Sequence, residues 1–225
     1  MPEWYTYSLS DFLLFSPRTY YRLIERHNQS VWPGHLLALA IGAGAVLMLR
    51  RRSWGGGRAA AGTLALVWAW VGWSFVGRRY ATINWAAPWL AGLFAVEVIL
   101  LGWLGVGLGK LRGVWKRDAA GAVGTAMLVG SLVLYPLLAP ALGRGWRQAE
   151  VFGIAPDPTV LGTLGVLLLL EGPGRSRRAL LAAPLLWCLA SGATLLAMRS
   201  PEAWIVLAAA PLVLGVTLLR GRPAP

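Results

Sequence analysis

Seven apolar runs of near-membrane length, joined by short connectors, restrict the folds open to this chain more than any other feature of its sequence. Crossing about 30 Å of hydrocarbon at about 1.5 Å per residue takes roughly 20 apolar residues in a helix. Runs at 32–49, 59–76, 85–109, 119–142, 158–170, 179–198 and 203–219 meet or approach that length. The expected fold is an all-α polytopic transmembrane bundle of about seven spans, with six spans plus a re-entrant or interfacial segment as the alternative. Composition agrees: 57% of the 225 residues are hydrophobic, 13% are charged, and the mean hydropathy is +0.59. A soluble domain of this size needs a larger polar share to cover its surface. The lipid bilayer is therefore the first expected partner.

The net charge of +12 raises the question of nucleic acid, but the basic residues sit in short clusters between apolar runs, without an aromatic-basic ladder, and nucleic acid is not expected. Their placement instead sets an orientation. Thirteen of the 21, among them Arg50, Arg51, Arg52, Lys110, Lys116, Arg117, Arg175 and Arg222, fall on one side of the expected spans. That bias predicts an outside N-terminus and a cytoplasmic C-terminus in a bacterial inner membrane. The acidic residues Glu3, Asp11, Glu25, Glu150, Asp157 and Glu202 lie on the other side.

Residues 1–30 do not read as a span, and they lack the basic and apolar regions of a cleavable leader. In "SPRTYYRLIERHN", Ser16 is placed to cap a helix with Pro17 at its first position. Tyr20, Tyr21, Leu23, Ile24 and His27 follow at helical spacing, with arginines on the other face. This predicts an amphipathic segment, lying in the membrane interface or packed over the outer loops, ahead of a single transmembrane domain at 31–225.

Glu97 is the sharpest anomaly. In "WLAGLFAVEVILLGWLGVG" it falls near mid-bilayer, where an ionised carboxylate costs several kcal/mol unless it is paired or meets water. A hydrogen-bonded protonated acid between helices is the plainer expectation; a solute site is the functional one. Two loops on the N-terminal side add candidates: Asn84 in "GRRYATINWAAP", and Glu150 and Asp157 in "GRGWRQAEVFGIAPDPT". Asp157 before Pro158 reads as a helix start whose carboxylate accepts from free backbone amides. The run that follows is only about 13 residues, so either residues 151–155 enter the membrane as irregular backbone or the span is thin.

Other chemistries lack their residues. Cys188 is the only cysteine, and His27 and His35 the only histidines, so no metal site and no cofactor is expected. GxSxG, HExxH and phosphate-loop motifs are missing, and an enzyme is not expected.

"TINWAAPWLAGLFAVEVILL" and "EVFGIAPDPTVLGTLGVLLL" resemble the two signature stretches of an uncharacterised family of bacterial integral membrane proteins. The likeness rests on Ile83-Asn84-x-Ala86-Ala87 and on Val151-Phe152-Gly153 followed by Pro156-x-Pro158, and it extends over most of the chain. The family pattern often has Cys at the Asp157 position and Gln at the Glu97 position. The resemblance implies membrane location and fold, with no activity attached.

The leading functional expectation is a small transporter or permease-like protein with an outward-facing polar site for a small solute or ion, built from Asn84, Glu97, Glu150 and Asp157. The alternative is a non-catalytic membrane subunit, with a membrane-protein partner or a second copy of itself.

Overall fold

The structure, a computed structural model, describes residues 14–115 and 118–220; Glu3, Asp11, Lys116, Arg117 and Arg222 lie outside them. Nine helices follow in order among these residues: α1 (Pro17–Val31), α2 (Gly34–Arg50), α3 (Trp54–Val71), α4 (Ala87–Leu100), α5 (Ala119–Val129), α6 (Leu138–Ala141), α7 (Pro156–Leu168), α8 (Gly174–Ala197) and α9 (Glu202–Arg220). Three of them run on as π-helix, α3 through Gly72–Gly77, α4 through Leu101–Gly107 and α5 through Gly130–Leu134. Each of the seven apolar runs contains a helix. The only extended pairing among the described residues is a two-residue antiparallel ladder, Arg112–Gly113 with Leu170–Glu171.

Local chemistry fixes where helices begin. Ser53 accepts from the Gly56 amide at 2.9 Å to start α3, and Asp118 accepts from the Gly121 amide at 2.7 Å to start α5; each satisfies an amide the helix cannot pair internally. Ser16 does the same for α1 through Thr19.

Five helices, Trp54–Thr82, Ala87–Gly107, Ala119–Ala141, Gly174–Ala197 and Glu202–Leu219, are long and apolar enough to cross a membrane. The pair α1 and α2 would make a sixth crossing, bent by 88°. Outward faces are apolar: only 22% of the most hydrophobic stretch of Ala87–Gly107 is buried, and Leu66, Ile99, Leu186, Leu189 and Leu218 are all exposed. Water would leave such a surface open to aggregation, whereas lipid tails match it.

α7 is the exception, and it organises the rest. All 13 of its residues are buried, packed by α3, α5, α8 and α9. At about 20 Å it is too short to span alone. The backbone ahead of it, residues 151–155, is irregular and fully buried. Here protein covers the non-helical backbone.

α1 lies across the end of the bundle from which α2 departs. Tyr20, Ile24, His27 and Asn28 form its buried stripe. Asn28 donates to the carbonyls of Arg147 and Ala149 at 2.9 and 2.8 Å, and the ring of His27 meets Phe75 edge-on at 5.2 Å.

Candidate functional site

The α7 helix begins at Pro156, two residues earlier than expected, with Ala155 at its N-cap and no side-chain cap. Asp157 therefore sits inside the first turn, where its carboxylate projects sideways instead of back onto the amides. It reaches α8 and the end of the α5 extension. Trp187 Nε1 and Ser191 Oγ each donate to Oδ1 at 2.7 Å, and the Tyr135 hydroxyl approaches Oδ2 at 3.4 Å. The expected capping role of Asp157 gives way to a cross-helix bond network, and its acidic charge still favours the positive end of α7.

The turn before α7 is held by two residues. Gly153 has φ +78°, and a Cβ there would stand 3.1 Å from that of Ala38; a left-handed backbone pressed against a neighbour requires glycine. Thr159 Oγ1 accepts from the Gly153 amide at 2.8 Å and donates to the Ala155 carbonyl at 2.7 Å. A buried turn thereby keeps its polar groups paired.

A cavity of about 230 Å³ lies under α1 at this end of the bundle. Tyr20, Tyr80, Asn84, Trp187, Ser191 and Thr194 supply its polar lining, among apolar groups that include Phe75 and Leu90. Trp187 and Ser191, the two close donors to Asp157, thus form part of its wall. Asn84 also accepts from the Ala86 amide at 2.9 Å, fixing the entry to α4.

Glu150 lies in the loop ahead of this turn, buried, with Oε2 unpartnered. Burial first, and the nearby charge of Asp157 second, push its carboxyl up to about 8, against the opposing pull of Arg144. Arg144 itself pairs with buried Glu202, which also accepts from Ser200. Ser200 bonds the Tyr21 hydroxyl at 2.7 Å, and the Arg144 guanidinium lies 3.8 Å from the Tyr21 ring. These contacts tie α1 to the loops on either side of α7 and α8. Among the described residues no group of three or more His, Cys, Asp or Glu is arranged to hold a metal ion.

Glu97 stands apart. It is fully buried, and neither carboxyl oxygen has a hydrogen-bond partner. Phe94, Glu97 and Leu101 form the packed face of α4 and its extension, and Phe94 contacts Trp68 at 4.3 Å and Trp187 at 5.1 Å. The structure brings Asn84, Glu150 and Asp157 to one end of the bundle and leaves Glu97 in a helix contact.

The sequence reading missed the partners of Asp157. Their signal is Trp187 and Ser191, four residues apart on one helix face, a spacing that aims two donors at one point. Tyr135, Ser200 and the Arg144–Glu202 pair carried no comparable pattern, because tertiary packing alone unites them.

No curated protein and no solved structure matches the chain. A family match covers nearly all of it: residues 18–223 fit the Family of unknown function (DUF6064), and the chain belongs to that family.

Proposed function

We propose that this chain is a small transporter or permease-like protein of the bacterial inner membrane, N-terminus outside, that admits a small solute or ion through the cavity beside Asp157. One observation carries the reading: the buried irregular turn at 151–155 feeds a helix whose first-turn carboxylate is tied to two side chains of the cavity wall. Membrane proteins keep non-helical backbone at depth where it is covered or lines a cavity, and transporters place solute at such helix breaks. The cavity has room for roughly half a dozen waters, so the cargo is small.

The test is flux into proteoliposomes holding the purified full chain, followed by light scattering with methylammonium, urea and glycerol as probes. Asp157→Asn and Ser191→Ala should each lower the rate of the transported probe at least tenfold, while Glu97→Gln leaves it unchanged. Absence of flux above empty vesicles for every probe, or flux indifferent to both variants, would sink the proposal. Co-purification with a stoichiometric membrane partner would favour the subunit reading. Reporter fusions within 174–178 check the orientation.

A further inference from the structure

A second, larger cavity of about 910 Å³ opens between α1 and the segment that follows α3. Its lining is unlike the first. Arg18, Arg22 and Arg26 recur every fourth residue along α1 and so share a stripe, and Arg78 and Arg79 face them from beyond the Gly72–Gly77 π-helix. Among the described residues no acidic side chain lines this space. Glu25, the one acid on α1, lies in a neighbouring cavity that Arg18, Arg22 and Arg26 also border, with its carboxylate within reach of Gln29 and Gln148. Five guanidinium groups therefore share one cavity with no carboxylate from the described residues in its wall.

Two of the five are held in place. Arg79 donates to Ser30 Oγ at 3.1 Å, and the Arg78 guanidinium stacks 5.0 Å from the Trp73 ring. Two buried polar side chains complete the lining, each with one atom that has no protein partner. His27 is 2% exposed with Nε2 unpartnered, and Ser74 is 7% exposed with its hydroxyl unpartnered. His27 also has a backbone hydrogen bond at Ile154, which leaves Nε2 to accept. Orphaned polar atoms at the floor of a cation-lined cavity are what a site for a hydroxyl-bearing anion requires.

We infer that this cavity binds a phosphate group bearing hydroxyls, with the arginines forming forked bonds to its oxygens, Ser74 donating and His27 accepting. Guanidinium matches the planar spread of phosphate oxygens. Trp70 and Trp73, both exposed, border the same opening, and tryptophan favours headgroup depth. That placement makes an anionic phospholipid headgroup the expected source, with free hydrogen phosphate as the other. The inference is independent of the Asp157 cavity and of any transport.

The experiment uses the purified full chain in detergent, with added phosphatidylglycerol, phosphatidylcholine or inorganic phosphate, reading bound lipid by native mass spectrometry and unfolding temperature by fluorescence. Phosphatidylglycerol should be retained and should raise the unfolding temperature, and phosphatidylcholine should do neither. Arg22→Gln combined with Arg78→Gln should cut retention at least tenfold, as Ser74→Ala should severalfold. Arg175→Gln with Arg178→Gln removes the same charge at the opposite end and should leave retention unchanged. Stabilisation by inorganic phosphate alone, lost in the Arg22/Arg78 variant, would support the site with a soluble ligand. Equal loss in both double variants, or no preference for either phosphate source over phosphatidylcholine, would overturn it.

Discussion

The indole N–H of Trp187 meets Oδ1 of Asp157 at 2.7 Å, and Ser191, one turn along the same helix, meets the same oxygen at the same distance. A single face of α8 thus reads a carboxylate buried in the first turn of α7. Because all three groups are buried, each loss leaves a polar partner without its protein bond.

Trp187→Phe removes the donor and, with its smaller ring, part of the buried volume, so a double-mutant cycle isolates the bond. The substitution should lower unfolding stability in detergent by about 1–3 kcal/mol. A double-mutant cycle with Asp157→Asn should return a coupling of about 0.5–3 kcal/mol. Trp204→Phe, at a 68% exposed position, should stay within about 0.5 kcal/mol of the parent. A coupling near zero would mean that Trp187 contributes packing alone.

Glu97 predicts the opposite sign. Its carboxyl is buried without a partner, so replacing it with an apolar side chain of similar length removes an unmet polar group and exposes nothing. Glu97→Met should raise stability by about 1–3 kcal/mol, read from thermal unfolding in detergent. A loss of stability would reveal a bond to the carboxyl that the packed face of α4 does not contain.

Glu150, in the loop ahead of α7, and His27, on the amphipathic α1 that lies across the end of the bundle, give the pH dependence. The carboxyl of Glu150 rises from 4.5 to about 8, mainly through burial, so folding favours its protonated form and stability is lost as pH climbs between those values. The imidazole of His27 falls from 6.5 to about 4, through burial and then the charge of Arg79, so stability is lost as pH drops between those values. At about 1.4 kcal/mol per pH unit for each group, the opposing slopes cancel between 4.5 and 6.5. Stability should be level there and then decline by roughly 2 kcal/mol towards pH 8. Glu150→Gln should abolish the alkaline decline, and His27→Gln the acid one. Unfolding temperatures recorded across that range decide it.

Much of this architecture is written in the sequence as length and hydropathy. The seven apolar runs mark the helices because lipid demands a continuous apolar surface, a requirement local enough to read residue by residue. The Pro-Asp-Pro at 156–158 marks the start of α7 to within two residues, since proline favours a first turn. The destination of Asp157 is less legible. Two residues of offset turn a capping carboxylate into one that faces α8, and only the packed bundle supplies Trp187, Ser191 and Tyr135. Glu97 reads the same way on its own as a pathway acid would, and its isolation emerges only from what surrounds Phe94 and Leu101. The arginine stripe on α1 was visible as spacing, but its partners Arg78 and Arg79 come from a segment some fifty residues away.

The closest test of the fold is the approach of α5 to α7. A Cβ on Gly165 would stand 2.7 Å from the Gly124 carbonyl oxygen and 2.7 Å from the Leu128 amide, and one on Gly124 would stand 2.8 Å from the Gly165 carbonyl oxygen. These neighbours are backbone, which cannot rotate aside, so the two helices must separate to admit even a methyl group. In a bilayer, close contact between small residues supplies much of the helix association that hydrophobic burial supplies in water. Gly165→Ala should therefore cost about 1–3 kcal/mol, although alanine is the better helix former. Gly44→Ala, on α2 with open space at its Cβ, should be neutral or stabilising, because there only helix propensity acts. Because α7 positions Asp157, the Gly165→Ala protein should also lose part of the Trp187–Asp157 coupling. Stability equal to the parent in Gly165→Ala would show that α5 and α7 do not pack at this distance.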